Sequence, residues 1–126
     1  MASIAEKIFI LRNDFTDTDR DLITRACEFG TKAHEGQVRA SGEPYVNHVI
    51  ATGENLARFG MDATTIAAGI LHDTLEDTPT DKETLTKEFG DDIVSMVEGV
   101  TKLGNLKYKG RERHLESLRK FFIAVA

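Results

Sequence analysis

An all-α fold follows from three features of this sequence. Apolar residues recur at steps of three and four along several stretches. No stretch alternates apolar and polar residues long enough to make a strand. The links between stretches are short and carry helix caps or breakers. Together these predict a compact multi-helix domain. With 126 residues, 40% of them apolar, the chain suits one domain over residues 1–126 and can bury a real core.

Ile4 to Leu11 reads as a short helix, and Asn13 to Asp17 as a turn with capping residues. From Thr18 to about Glu35, the residues Leu22, Ala26, Phe29 and Ala33 form one apolar stripe, widened by Ile23 and Cys27. Gly36 to Glu43 is a loop, because two glycines and a serine break the periodicity. Pro44 suits the first position of the next helix, where its missing N–H does no harm. That helix is expected to run to Phe59, anchored by Tyr45, Val49, Leu56 and Phe59, with Gly60 ending it. Asp62 caps a helix from Ala63 that is expected to continue until just before Pro79. Thr80 to Glu83 has capping-box form and opens a short helix to Phe89, ended by Gly90. Another helix starts at Asp91 or Asp92 and turns Ile93, Val94, Val97 and Val100 inward. Gly104 to Gly110 reads as a polar loop. A final helix from about Arg111 carries Leu115, Leu118, Phe122 and Val125.

The formal charge of −5 and a pI near 5.3 argue against DNA as a partner. A single cysteine, Cys27, rules out an internal disulfide and fits a reducing cytoplasm. Placed among apolar positions, it reads as buried and inert. No apolar run approaches the roughly 18 residues that a membrane span needs, so no membrane partner is expected. Between Lys102 and Lys120, seven basic residues outnumber two acids, Glu112 and Glu116. They read either as a phosphate- or partner-facing patch or as a solvated helix face.

The chemistry-bearing stretch is Leu71 to Thr78. On a continuous helix His72, Asp73, Glu76 and Asp77 fall within an arc of about 140°. Ala67, Ala68, Leu71, Thr74 and Leu75 take the opposite side. One face then presents an imidazole and three carboxylates, which a metal, a proton or a cationic partner must hold there. His72 and Asp73 are an adjacent metal-binding pair, and His48 on the preceding helix is the natural helper. Two imidazoles and a carboxylate suit zinc, manganese or iron. The plain alternative is a capping or surface pair. Glu76 and Asp77, one turn on, could position a water, take its proton or protonate a leaving oxygen. Their alternative is a solvated acidic helix end. His34 reads as a helix-end cap rather than a ligand, and His114 as exposed. Arg39 and Ser41, in the glycine-bounded loop before the His48 helix, are candidate phosphate or base contacts.

Several stretches carry a further signal when taken in order. They are Ala33 to Arg39, Ser41 to Tyr45 through His48, Leu71 to Asp73 with Glu76 to Thr78, Phe89-Gly90, and Val97 to Leu103. This ordered set resembles the HD hydrolase domain of RelA/SpoT homologues, over residues 17–126. The resemblance implies the HD-domain phosphohydrolase fold. It also implies a manganese-dependent hydrolase of a guanine nucleotide alarmone, removing the 3′-pyrophosphate of guanosine tetra- and pentaphosphate and returning GDP or GTP. On that resemblance His48, His72 and Asp73 are ligands of one Mn2+ ion. Glu76 and Asp77 are the acidic pair of hydrolysis, and Arg39, Ser41 and Tyr45 line the nucleotide pocket.

The sequence departs from the family pattern in places. Ala40 stands where many hydrolase-competent members carry lysine, and Val49 where proline commonly follows the ligand histidine. The family's last metal ligand, an aspartate on a later helix, has no counterpart up to Ala126, and the synthetase domain of long members is absent too. The expectation is a hydrolase domain incomplete at its C-terminus, binding metal weakly and with little or no activity alone. Two other readings stand beside it. One is a non-catalytic regulatory or dimerisation module, whose exposed apolar stripe favours a homo-oligomer or a domain swap. The other is a metal-dependent phosphohydrolase acting on a different nucleotide.

Overall fold

The computed structural model describes residues 4–107, and their regular structure is helical. The elements are α1 (Ile4–Leu11), α2 (Asp17–Ala33), α3 (Tyr45–Arg58), α4 (Ala63–Leu71), α5 (Thr74–Asp77), α6 (Lys82–Phe89) and α7 (Asp91–Lys107). The all-α expectation holds. Among the described residues the one extended pairing is an isolated antiparallel bridge, Val38 to Pro44, which closes the loop between α2 and α3.

Capping chemistry sets where the helices start and stop. Thr16 and Asp19 form a reciprocal capping box at α2. Asp62 accepts from Thr65 N at the start of α4, and Asp81 from Thr84 N at the start of α6, each at 2.8 Å. The α6 cap is therefore one residue beyond Thr80, whose hydroxyl instead lies 2.8 Å from that of Thr78. Pro44 sits at the N-cap of α3, just outside its first turn. At the other end Gly60 takes φ +78°, and the N–H groups of Gly60 and Met61 return to the carbonyls of Ala57 and Leu56. Arg12 donates to Ala57 O and Met61 O, so a cation lies on the negative end of that helix.

Helices α2, α3 and α7 pack against α4, while α1 packs on α2 and α3, and α6 on α7. Every α4 residue except Thr64 is buried. A helix enclosed in this way needs small or apolar residues on all sides, as Ala63 to Leu71 provides. The approach of α3 is closest at Gly69, where a Cβ would clash with Leu56 Cδ1 and lie 3.4 Å from Thr52 Cγ2. Ile23, Ala26 and Cys27 from α2, and Val94 and Val97 from α7, fill the other sides of the core. Phe29 of α2 meets Phe89 of α6 edge-on at 5.5 Å. Burial pushes the Cys27 thiol up to about 12, which makes it the inert group expected.

Two further expectations change. Phe59 is 68% exposed and is not one of the buried core residues, because it is the cap residue at which the chain turns away into Gly60. Gly104 to Lys107 continue α7 and are not a loop. One glycine costs a helix only about 1 kcal/mol relative to alanine, so the ladder runs through it. Val100's side chain, the rest of the expected loop, the helix expected from Arg111, His114 and the basic residues beyond Lys107 lie outside the described residues. No helix of the described residues is long and apolar enough to cross a membrane.

Two glycine substitutions test this packing. Gly69→Ala is expected to destabilise the fold by about 1–3 kcal/mol through overpacking. Gly99→Ala, on α7 with nothing among the described residues near where its Cβ would stand, should stabilise it by up to about 1 kcal/mol. Urea unfolding midpoints of the two variants check the opposite signs.

Candidate metal centre

The site begins where α4 ends. That end lies in the core, so its last carbonyls need donors from within the protein. Two side chains supply them. His72 Nδ1 lies 2.6 Å from Gly69 O, and since a carbonyl only accepts, Nδ1 carries the proton. Thr74 Oγ1 donates to Leu71 O at 2.8 Å. Such local bonds compete with the helical ladder. His72 N accordingly reaches back to Gly69 O at 3.4 Å, one residue short of the α-helical step. A turn forms at His72 and Asp73, and α5 restarts beyond it with Asp77 N on Asp73 O.

The helix expected to be continuous from Ala63 is thus broken at the very pair that carries the chemistry. The single acidic face divides with it. His72 and Asp73 are buried, whereas Glu76 and Asp77 are exposed at the rim.

With Nδ1 protonated, a neutral His72 ring offers Nε2 as its acceptor, and this atom lies 3.2 Å from Asp73 Oδ2. His48 Nε2, arriving from α3, is 3.9 Å from the same oxygen. One ligand atom from each of His48, His72 and Asp73 lies within 4.8 Å of the others. Two imidazole nitrogens and a carboxylate oxygen at this separation fit the donor set of a divalent ion such as zinc, manganese or iron.

Tyr45, the first residue of α3, closes one side of the cluster. Its hydroxyl donates to Asp73 Oδ2 and lies 3.4 Å from Asp77 Oδ2. Burial, and then the Asp73 charge, raise the phenol's pKa, so it remains a donor. The ring stacks on His34 at 4.6 Å and 25°, and meets His48 edge-on at 5.5 Å and 68°. His34 holds the C-cap position of α2, as its place in the sequence implied, and is 2% exposed. Its Nδ1 lies 2.9 Å from Gln37 Oε1, and Gln37 Nε2 donates to Asp77 O at 2.7 Å. Gln37 is the residue that sequence reasoning missed. Its visible signals are its position three residues after His34 and its place in the Ala33 to Arg39 stretch.

Partial burial, and then the Asp73 charge, push the Asp77 carboxyl above its ordinary range. Arg39 and Ser41 are exposed in the hairpin loop that the Arg39 N to Glu43 O bond closes at 2.8 Å. No hydrogen bond or ion pair among the described residues joins either of them to the cluster.

Comparison with known proteins identifies the scaffold. The HD domain profile matches residues 26–126. The chain belongs to the HD domain family. In this HD domain the His72-Asp73 dipeptide is the turn between α4 and α5. A guanosine-3′,5′-bis(diphosphate) 3′-pyrophosphohydrolase of Aquifex aeolicus (strain VF5) is 46% identical over 104 residues, which cover 82% of this chain and 15% of that protein. A protein of the same name from Haemophilus influenzae is 44% identical over 94 residues, covering 74% of this chain and 14% of its own length. A GTP pyrophosphokinase of Streptomyces coelicolor is 44% identical over 104 residues, covering 82% and 12% respectively. The HD domain chain thus spans 15% or less of the length of these relatives.

The raised Asp77 pKa has a consequence for the metal-free domain. A carboxyl with a folded pKa above its ordinary 3.8 favours folding in its protonated form. That contribution is present below the unfolded value and is lost as pH rises through the folded one. Asp77→Asn is therefore expected to be more stable than the parent at pH 7.5 in chelator, with the difference shrinking toward pH 4. Urea midpoints at the two pH values check it.

Proposed function

We propose that this HD domain is a cytoplasmic, manganese-dependent phosphohydrolase acting on guanosine tetra- and pentaphosphate. It removes the 3′-pyrophosphate and returns GDP or GTP. The observation that carries this reading is the convergence of His48, His72 and Asp73 within 4.8 Å. It occurs in a chain 46% identical over 104 residues to a protein named as a 3′-pyrophosphohydrolase of this nucleotide.

His48, His72 and Asp73 are the residues that would hold the ion. When bound, a divalent ion lowers the pKa of water and offsets charge on phosphoryl oxygens. The remaining steps fall to side chains. Glu76 and Asp77, at the exposed rim beside the cluster, orient the attacking water and handle its proton. Asp77 suits the second task because its carboxyl is held above the usual range. Arg39 and Ser41 reach the nucleotide from the exposed hairpin and fix it for attack. Water adds to the phosphorus bonded to the 3′ oxygen, the bond between them breaks, and the 3′ oxygen leaves with a proton.

Pyrophosphate release from guanosine tetraphosphate is the direct test. Only slow release is expected with Mn2+ from this chain alone, and none with chelator or in His72→Ala. Asp77→Asn should retain Mn2+ binding and lose on the order of 100-fold or more in rate. Release that survives chelation or His72→Ala overturns the metal-dependent reading. Turnover of other nucleotides but not of guanosine tetraphosphate overturns the substrate.

A further inference from the structure

We propose that Tyr45 is the positioning residue of the cluster, its phenol holding the Asp73 carboxylate so that Oδ2 faces His48 and His72. This rests on the metal-centre reading above and assigns Tyr45 a task other than lining the nucleotide pocket. The argument starts from spacing. Tyr45 stands three residues before His48 on α3, so the two share a helix face. The ring is then fixed from several sides. His34 stacks on it, His48 meets it edge-on, and its own backbone N–H donates to Gln37 O at 2.9 Å. Gln37 in turn holds His34 through its side-chain oxygen and the Asp77 carbonyl through its side-chain nitrogen. The phenol is thus delivered to one place by a closed set of contacts linking the α2–α3 loop to α5.

At that place it meets a group that needs orienting. The outer torsion of an aspartate is broad, so its carboxylate takes its direction from its partners. Asp73 Oδ2 is the oxygen nearest the two imidazoles, and it is also the one that accepts from Tyr45. A carboxylate oxygen has two lone-pair directions, so the phenol can occupy one while the other remains directed toward the imidazoles. The same hydroxyl lies 3.4 Å from Asp77 Oδ2, which places a donor where two carboxylates would otherwise repel. Hydrogen-bond partners of this kind typically alter metal affinity by about 10–100-fold.

The test uses the full chain and Mn2+ alone, titrated by the loss of the free-ion electron paramagnetic resonance signal. Tyr45→Phe keeps the ring and its stack on His34 and removes only the oxygen. It is expected to weaken Mn2+ binding roughly 10–100-fold, a larger factor than any change in guanosine tetraphosphate affinity in chelator. Asp73→Asn should lose Mn2+ binding altogether. Unchanged Mn2+ affinity in Tyr45→Phe, beside loss in Asp73→Asn, overturns the role of Tyr45 and leaves the metal centre standing. Weakened nucleotide binding with intact Mn2+ binding returns Tyr45 to the nucleotide pocket and likewise overturns it. A parent chain that binds no Mn2+, or Asp73→Asn that binds like the parent, overturns the metal centre and this proposal with it. A second measurement keeps the phenol at position 45. With 3-fluorotyrosine in both tyrosines and Tyr108→Phe to assign the signal, Zn2+ should shift the Tyr45 fluorine resonance, and a static resonance counts against the proposal.

Discussion

A buried carbonyl must be given a donor, and the carbonyl end of α4 is buried. The structure answers with side chains. The His72 imidazole donates to Gly69 O and the Thr74 hydroxyl to Leu71 O. The first of these bonds settles two matters at once. It ends the helix, and it places the ring proton on Nδ1, so that Nε2 is the atom turned toward Asp73 and His48. A requirement of folding therefore presets the tautomer a metal ligand needs.

The third member of the cluster arrives by packing. His48 belongs to α3, and its distance from the turn depends on how closely α3 approaches α4. Small residues permit that approach. Gly69 has no room for a Cβ beside Leu56, and the Thr52 hydroxyl folds back onto its own helix at His48 O, 3.0 Å away. Larger side chains at this crossing would push the axes apart and take His48 with them. The core and the candidate site are in this sense one structure, with the candidate ligand atoms at the edge of the close α3–α4 contact.

Electrostatics points the same way. Asp73 is buried and Asp77 stands beside it, with the Tyr45 phenol as a shared neutral donor. A neutral donor offsets part of the cost of the buried carboxylate but not its charge. The raised Asp77 pKa reflects its own partial burial first and then the Asp73 charge. A cation among His48, His72 and Asp73 would offset that charge, which agrees with a family whose phosphohydrolases bind divalent metals.

The sequence by itself determined most of the helices and marked the candidate donor set. Caps such as Thr16, Asp62 and Gly60 act within one turn, so their meaning is local, and the observed ends follow them closely. The spacing of Ile23, Cys27, Val49 and Leu56 likewise marked faces that are buried. His48, His72 and Asp73 were legible because few residue types ligate metals. Tertiary structure decided the rest. The break after Leu71 leaves the apolar period undisturbed and depends on burial of the Gly69 and Leu71 carbonyls, which only the packing of α2, α3 and α7 brings about. Phe59 lies outside the core because the chain turns there, although its spacing suits a buried face. Tyr45 finds Asp73 across 28 residues, and Gln37 finds the Asp77 backbone across 40. Periodicity reports which face of a helix is apolar, whereas a hydrogen-bond partner on another element is fixed only once the elements have docked.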